Sequence, residues 1–527
     1  MSYVRLVFRD PTLVRGLVNA GVIAAATTAV ALGIALPLAH LSVRYEFPGR
    51  GLLSGLLLVP LVLPPFVGAL GMRLVLSRFG PLTQMVPGDH PLGIDWLGHW
   101  RLGGIIVVEA LHLYPIILLN LQAAMANVDP AMEQAAANMG ASRWMIFRRI
   151  TLPLIRPGLF AGCTLVMIWS FTELGTPLMF DYYTVTPVQL FKLITDVADN
   201  PLPYALVVVT LVASGMLYLV GKVVLGRGYE AATTKASVAG SVGRLRGWKA
   251  VAAAAPFVIV FLVAVLPHIA VVLTSLCSTG AWYKTLLPAQ FTLGHFRNAL
   301  LDDMAMSSIT RSLQYATLAT ALAMIIGMGV AVIVVRSNVP GRGLIDALSM
   351  LPLAVPGLVL AFGYLSISIW FKRKLGDRTP FWLDVQQFPV VLLVIAYAAR
   401  RMPYVVRSAI AGLQQTPRDL ELAASNLGAS QWTVLRRITV PLIMANLIAG
   451  GLLAFAFAML EVSDSLILAQ RTDYFPITKA IYDMAQRLDD GIYIASALGV
   501  WAMVLLTLTI LSANAFLGKK MGAIFRV

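Results

Sequence analysis

Residues 133–155 read EQAAANMGASRWMIFRRITLPLI, and residues 421–443 read ELAASNLGASQWTVLRRITVPLI. The two stretches are identical at 15 of 23 positions and lie 288 residues apart. Both are polar and basic, whereas most of the chain is apolar. A polar surface that occurs twice in the same form indicates that the protein meets the same kind of partner at two places. We call residues 133–155 the first repeated segment and residues 421–443 the second.

The composition is that of an integral membrane protein. Hydrophobic residues make up 58% of the chain and charged residues 12%, against about 25% charged in soluble domains, and the mean hydropathy is +0.80. A helix needs about 20 apolar residues to cross a bilayer. Stretches of this length predict helices rather than the short alternating strands of a barrel. The eleven predicted spans are 17–43, 52–76, 103–125, 158–180, 203–225, 250–275, 312–335, 344–371, 388–410, 446–468 and 491–517.

The repeat continues outside these two segments. PGRGLLSGLLLVPLVLPP, from Pro48, matches PGRGLIDALSMLPLAVPG, from Pro340, and Arg44 pairs with Arg336 at the same offset of 292. We therefore predict a first half at 1–225, a cytoplasmic linker at 226–249 and a second half at 250–527. Because matching loops must face the same side, the fold class is an all-α membrane protein of two parallel-repeat helical bundles. It has eleven spans, or twelve if the natural start lies upstream of Met1.

The basic residues orient the chain in the membrane. With the repeated segments in the cytoplasm, and with each Lys or Arg inside a predicted span counted at the nearer end of that span, 23 of the 40 Lys and Arg fall on the cytoplasmic side and 17 on the other. This is the bias of the positive-inside rule. The net charge of +15 is then mainly a matter of topology. A nucleic-acid-binding protein would need a basic soluble face and a recognisable binding module, and the sequence has neither.

Each repeated segment has an Ala pair, then Gly, and ten residues later Ile, followed by an aliphatic residue and Pro. This pattern resembles the EAA loop of the membrane subunits of binding-protein-dependent ABC importers, and it implies their type I (MetI-like) permease fold. The family's acid, six residues before Gly, is Gln134 in one copy and Leu422 in the other. Glu133 and Glu421 stand one residue earlier, which leaves the role of the acid open. The resemblance assigns ATPase coupling to Glu133, Ala135, Ala136, Gly140, Ala141, Ser142, Trp144, Arg148, Pro153, Glu421, Ala423, Ala424, Gly428, Ala429, Ser430, Trp432, Arg436 and Pro441.

The local chemistry of the segment agrees with a docking element. We predict a short helix that Gly140 ends, a second helix that Ser142 caps, and a break at Pro153 where the chain re-enters the membrane. Two short helices would then present Ala, Trp144 and Arg148 to the cytosol, and an aromatic residue with Arg is typical of an interface anchor. An amphipathic helix resting on lipid headgroups would not need the same Gly, Ser, Trp and Pro spacing twice.

The resemblance also implies partners. The sequence contains no G-x-x-x-x-G-K-[ST] phosphate loop, so we expect ATP and Mg to be bound by two copies of a separate ATPase subunit. We further expect a periplasmic or lipid-anchored solute-binding protein on the outer loops, surrounding membrane lipid, and a multi-pass location in the bacterial inner membrane. For this chain itself we expect no enzymatic activity, no bound cofactor and no metal site, since its six His are scattered.

Fusion of both halves in one chain most resembles the ferric-iron transport permeases. Permeases for thiamine, polyamines and aminoethylphosphonate look much alike, so the substrate stays open among these. The expected mechanism is alternating access driven by the ATPases. A secondary transporter or channel with parallel repeats, which would need no ATPase, is the alternative from another class, and an integral-membrane enzyme would need clustered catalytic groups.

Three acids lie inside predicted spans after the repeated segments: Glu173, Glu461 and Asp464. An ionisable group at membrane depth needs water or a partner. These acids either line a path for a charged solute or pair across the two halves to hold them together. Glu109 and His112, one turn apart, suggest a satisfied buried pair rather than a metal site.

Overall fold

The computed structural model describes residues 2–77, 80–81, 100–196, 200–225, 243–282 and 285–517. These residues form two compact units, Met1–Leu293 and Gly294–Val527. Each unit is a bundle of long helices interrupted at defined points by short ones.

The first unit begins with a helix whose start is set by its sequence. Asp10 precedes Pro11 and accepts hydrogen bonds from the backbone N–H groups of Thr12 (2.8 Å) and Leu13 (3.4 Å). The N–H at the first position of a helix has no partner within the helix, so Pro11, which has no N–H, loses no hydrogen bond there. The helices of this unit are α1 (Ser2–Arg9), α2 (Pro11–Arg44), α3 (Arg50–Leu56), α4 (Val59–Val62), α5 (Pro65–Val75), α6 (Arg101–Ala126), α7 (Pro130–Asn138), α8 (Arg143–Ile146), a π-helix at Phe147–Thr151, α9 (Leu152–Phe171), α10 (Gly175–Met179), α11 (Thr186–Lys192), a 3-10 turn at Leu193–Asp196, α12 (Leu202–Leu225) and α13 (Trp248–Leu276).

The core of the first unit lies where α2, α6 and α9 pack along one another. Leu38, Ile117 and Leu159 are buried there in one apolar cluster, which also takes in Phe257 of α13. Burial of such a side chain contributes about 1.5–3 kcal/mol relative to leaving it exposed to water. The cluster joins α6 and α9, the long helices before and after the first repeated segment.

The end of the predicted linker is attached to the first unit. Strand β1 (Tyr45–Glu46) pairs in parallel with β2 (Gly243–Arg244), and α13 follows. Residues 226–242 of the predicted linker lie outside the described residues.

Helix α13 packs within the first unit, although the sequence repeat predicts a second half that starts at residue 250. It lies against α5, where a Cβ on Gly71 would come within 2.5 Å of the Pro267 carbonyl oxygen. A glycine at this position lets the two backbones approach closely. The repeat gave no information about this packing because residues 250–292 precede the part of the second half that pairs with the first at the offset of 292, and the compact second unit begins only at Gly294.

The second unit repeats the plan of the first. Helices packed around Val406, Ile410 and Leu447 form its apolar core. The helices of this unit are α14 (Gly294–Leu301), α15 (Asp303–Arg336), α16 (Arg342–Ala354), α17 (Gly357–Leu375), 3-10 turns at Gly376–Arg378 and Phe381–Leu383, α18 (Val390–Gln415), α19 (Asp419–Asn426), α20 (Gln431–Val434), a π-helix at Leu435–Thr439, α21 (Val440–Leu442), α22 (Met444–Met459), α23 (Ser463–Leu468), a 3-10 turn at Thr472–Tyr474, α24 (Ile477–Ala485) and α25 (Gly491–Leu517).

Two equivalent predicted spans are broken rather than continuous. The bend is 86° before Pro65 in the first unit and 100° at Pro356 in the second. Proline removes a backbone donor and disfavours helical backbone in the residue before it, so both breaks follow from the sequence.

The described residues contain seven helices long and apolar enough to cross a membrane, or up to ten if each of three bent pairs is one span. The remaining predicted span, 388–410, does form a helix, α18. It stands outside that count, and it carries three arginines, Arg400, Arg401 and Arg407.

Candidate coupling site in the two repeated segments

Both repeated segments form two short helices joined by a tight glycine turn, as predicted. Helix α7 ends before Gly140, whose φ is +83°, and α19 ends before Gly428, whose φ is +87°. In the first segment the N–H of Ala141 donates to the carbonyl of Ala136 at 3.0 Å. The second segment has the matching bond from Ala429 to Ala424 at 3.1 Å. This is the Schellman closure, which needs a left-handed residue at the position of the glycine.

The serine after each turn starts the next helix. Ser142 Oγ accepts from the N–H of Met145 at 3.3 Å, and Ser430 Oγ accepts from the N–H of Thr433 at the same distance. An N-cap hydroxyl of this kind satisfies a backbone donor that has no partner inside the helix. The predicted cap at Ser142 is therefore present, and Ser430 repeats it in the second segment.

The predicted break at Pro153 is wrong. The chain passes through Pro153 into α9 without a bend, because the π-helix before it carries a wider bond, from the N–H of Leu152 to the carbonyl of Phe147. The proline stands directly after the π-helix, at the second residue of α9. In the second segment the same π-helix precedes Pro441, and a 75° bend follows at Ile443, two residues later.

The surface of each segment is apolar at two matching positions. Trp144 is 68% exposed and Trp432 is 69% exposed, and just before the glycines Met139 is 82% and Leu427 is 89% exposed. Water-exposed large apolar side chains that form a patch mark an interaction site. The sequence prediction named the two tryptophans but missed Met139 and Leu427, although an apolar residue directly before the helix-ending glycine occurs in both copies.

The other predicted coupling residues divide into surface and interior positions. The exposed ones are Ala135, Ser142, Arg148, Ala423, Ser430, Arg436 and Pro441, and the partly or largely buried ones are Ala136, Ala141, Pro153, Ala424 and Ala429.

The two acids of the segments are held inside their own half. Glu133 accepts from Arg44, at the end of α2, at 2.8 Å and from Thr151 of the π-helix at 2.7 Å. Glu421 is held in the same way by Arg336 at 3.2 Å and Thr439 at 3.1 Å. The sequence paired Arg44 with Arg336 but did not connect either with an acid 85 to 89 residues away.

The acid cluster of the second unit lies deep in the protein. Glu461 is 3% exposed and forms ion pairs with Arg400, at 2.5 Å, and with Arg401. Asp464, 1% exposed, lies 3.8 Å from Arg400. Buried charges need such partners. The sequence named both acids and missed the two arginines, although two adjacent Arg inside an apolar stretch are a visible signal.

The corresponding region of the first unit is built differently. Glu173 is half-buried and accepts from the N–H of Gly175 at 3.0 Å. Glu109 accepts from Ser170, and the His112 ring bonds the Pro60 carbonyl oxygen at 2.7 Å, so each finds a partner other than its sequence neighbour. That Glu173, Glu461 and Asp464 line a solute path stays a prediction.

One known protein family matches this chain twice, once in each half. The family described as "Binding-protein-dependent transport system inner membrane component" matches residues 29–230 and again residues 319–522. The chain belongs to this family. It is a fused, two-half permease subunit of an ABC importer, a multi-pass protein of the bacterial inner membrane and a transport component rather than an enzyme.

Two individual relatives of this ABC permease are similar over most of its length, and a third over about a quarter. A putative ferric transport system permease protein of Haemophilus influenzae is 27% identical and covers 85% of this chain and 68% of its own. A ferric transport system permease protein of Actinobacillus pleuropneumoniae is 26% identical, covering 93% and 69%. The molybdenum transport system permease protein of Escherichia coli strain K12 is 35% identical but covers 27% of this chain and 60% of its own.

Proposed function

We propose that this permease imports ferric iron, which a periplasmic binding protein delivers to its outer face and two ATPase subunits drive across the membrane. Coupling to two ATPase subunits is supported by one observation. The same pair of exposed apolar side chains occurs in both repeated segments, as Met139 with Trp144 and as Leu427 with Trp432. Two equal pairs of exposed apolar side chains, each in a segment that also exposes an Arg, fit two copies of one partner.

The choice of ferric iron is supported by the extent of the similarity. Two ferric permeases align with 85% and 93% of this chain, whereas the molybdenum permease aligns with 27%. The fused two-half arrangement is therefore common to this chain and the ferric relatives over most of their lengths.

The mechanism that we propose is alternating access. An ATPase dimer that binds ATP more tightly in its closed form moves the two repeated segments, and the membrane helices follow. The energy for this motion comes only from the difference in ATP affinity between the two states.

The test is reconstitution in lipid vesicles with an ABC-type ATPase and a solute-binding protein from the same organism. We expect the permease to purify with the ATPase and the vesicles to take up radioactive ferric iron only when ATP and the binding protein are both present. Uptake without ATP would favour a secondary transporter and overturn the proposal.

The substrate is tested separately on the binding protein. Titration with ferric iron, molybdate, thiamine, a polyamine and aminoethylphosphonate is expected to give tight binding of ferric iron alone. Tight binding of another of these solutes, with no binding of ferric iron, would replace the substrate and leave the coupling mechanism standing.

A further inference from the structure

The same three-residue clamp occurs in both halves. An arginine at the last residue of a long helix (Arg44 of α2, Arg336 of α15) and a threonine of the π-helix (Thr151, Thr439) both bond the glutamate of the short helix. The Arg–Glu separation is 89 residues in one half and 85 in the other. The geometry therefore recurs in spite of a different spacing.

The clamp is sheltered from water. The Arg44 and Glu133 side chains are 17% and 21% exposed, and those of Arg336 and Glu421 are 15% and 13% exposed. The two threonines are buried. Charge-assisted hydrogen bonds in such places are stronger than those between neutral groups and are little screened by salt. Arg at the C-terminal end of a helix also interacts favourably with the helix dipole.

The clamp joins three elements in each half. In the first half it connects α2, the short helix α7 and the π-helix that runs into α9. The acid thus has two donors from its own half. A segment held in this way transmits a displacement to two long helices, whereas an unclamped one would be attached only through its flanking backbone.

We propose that Arg44, Thr151, Arg336 and Thr439 are positioning residues that lock each repeated segment to the long helices of its half, so that movement of the ATPase is converted into movement of α2 and α15. This inference rests on the proposed function, since it assumes that the repeated segments dock the ATPase. It assigns Glu133 and Glu421 to an intramolecular clamp and leaves the docking surface to the exposed residues around the glycines.

The experiment uses the complete permease–ATPase complex with spin labels on cysteines placed at Val30 of α2 and Leu318 of α15, both exposed. The distance between the labels is measured with and without ATP, which requires no transported solute. The variant Arg44→Gln with Arg336→Gln is compared with Arg244→Gln, which removes an exposed ion pair to Glu46 outside the clamp.

We expect the double variant to retain the ATPase and its ATP binding but to lose the ATP-dependent distance change. The equilibrium between the two distances should shift by about a hundredfold, about tenfold for each of the two bonds that the variant removes. Exchanging the charges (Arg44→Glu with Glu133→Arg, and Arg336→Glu with Glu421→Arg) should restore part of the response, whereas Arg244→Gln should behave as the wild type.

If the wild type binds the ATPase and responds to ATP, three results would overturn this inference and leave the proposed function standing. These are an unchanged response in the double variant, loss of ATPase binding in it, and no recovery on charge exchange. If the double variant does not accumulate, Thr151→Val with Thr439→Val, which removes one hydroxyl from each clamp, decides by the same readout. A wild-type permease that binds no ATPase would instead overturn the proposed function.

Discussion

Gly140 and Gly428 occupy a backbone conformation that other residues adopt only with strain. At both positions φ is positive, and a Cβ would meet no atom within 4 Å. The space is open, so the cost of a side chain comes from the backbone itself, about 1–2 kcal/mol for an L-residue in the left-handed region and more for a β-branched one.

We predict that Gly140→Val combined with Gly428→Val abolishes ATP-driven uptake while the protein still inserts into the membrane. The strain would open both turns and displace the exposed Met139, Trp144, Leu427 and Trp432. Uptake into vesicles and yield in the membrane fraction measure the two effects.

The matched control for these glycines is Gly33→Val in α2, a glycine with equally open surroundings and without positive φ. It should leave uptake near the wild-type rate. Intact uptake in the double variant would show that the turns do not hold the coupling surface.

The residues of the repeated segments illustrate what a sequence can and cannot predict. Gly140 and Ser142 act through their immediate neighbours, so their roles follow from local pattern. The bond between Arg44 and Glu133 joins residues 89 apart, and nothing local distinguishes those two charges from others. The uninterrupted helix at Pro153 depends on a π turn, which has no simple residue signature.

At the scale of elements, the long helices follow from apolar length, whereas proline alone does not predict a break. Pro65 and Pro356 stand at the two breaks, but α6 runs through Pro115. The contacts that stabilise a break are less visible. Between α3 and α4, in the part of the span that precedes the break at Pro65, the buried hydroxyl of Tyr114 in α6 donates to the Leu57 carbonyl oxygen at 2.7 Å. That carbonyl lies where the regular helix ends, and an unsatisfied buried carbonyl costs about 1–3 kcal/mol.

We therefore predict that Tyr114→Phe lowers the free energy of unfolding by about 1–3 kcal/mol, because it removes the donor and leaves the ring in place. Thermal unfolding of the purified protein in detergent measures the change. Tyr218→Phe in α12, where the side chain is 45% exposed, is the control, and an equal loss of stability in both variants would contradict a specific role for the bond.

At the scale of the whole molecule, the division by sequence repeat and the division by packing differ. The family matches end at residue 230 and resume at residue 319, whereas the compact units meet at residues 293 and 294. Helix α13 lies between the two family matches and packs in the first unit. The sequence predicted the helix but not its packing partner, because that depends on the shape of α5, which only the folded chain presents.

The close approach of α13 to α5 gives the last prediction. A Cβ on Gly71 would lie 2.5 Å from the Pro267 carbonyl oxygen and 2.6 Å from the Val271 nitrogen, and backbone atoms of a packed helix do not give way as a flexible side chain does. We expect Gly71→Ala to lower the free energy of unfolding by about 1–3 kcal/mol and to make the chain near α13 more accessible to protease.

Gly55→Ala is the control for Gly71→Ala, since a Cβ there meets nothing within 4 Å. Adding Val271→Ala to Gly71→Ala should recover only part of the stability, because it removes the Cγ2 contact at 2.7 Å but neither backbone contact. Full recovery would mean that the side chain alone limits the approach. No loss in Gly71→Ala would mean that α13 is not seated against α5, and the first unit would then end where the sequence repeat places it.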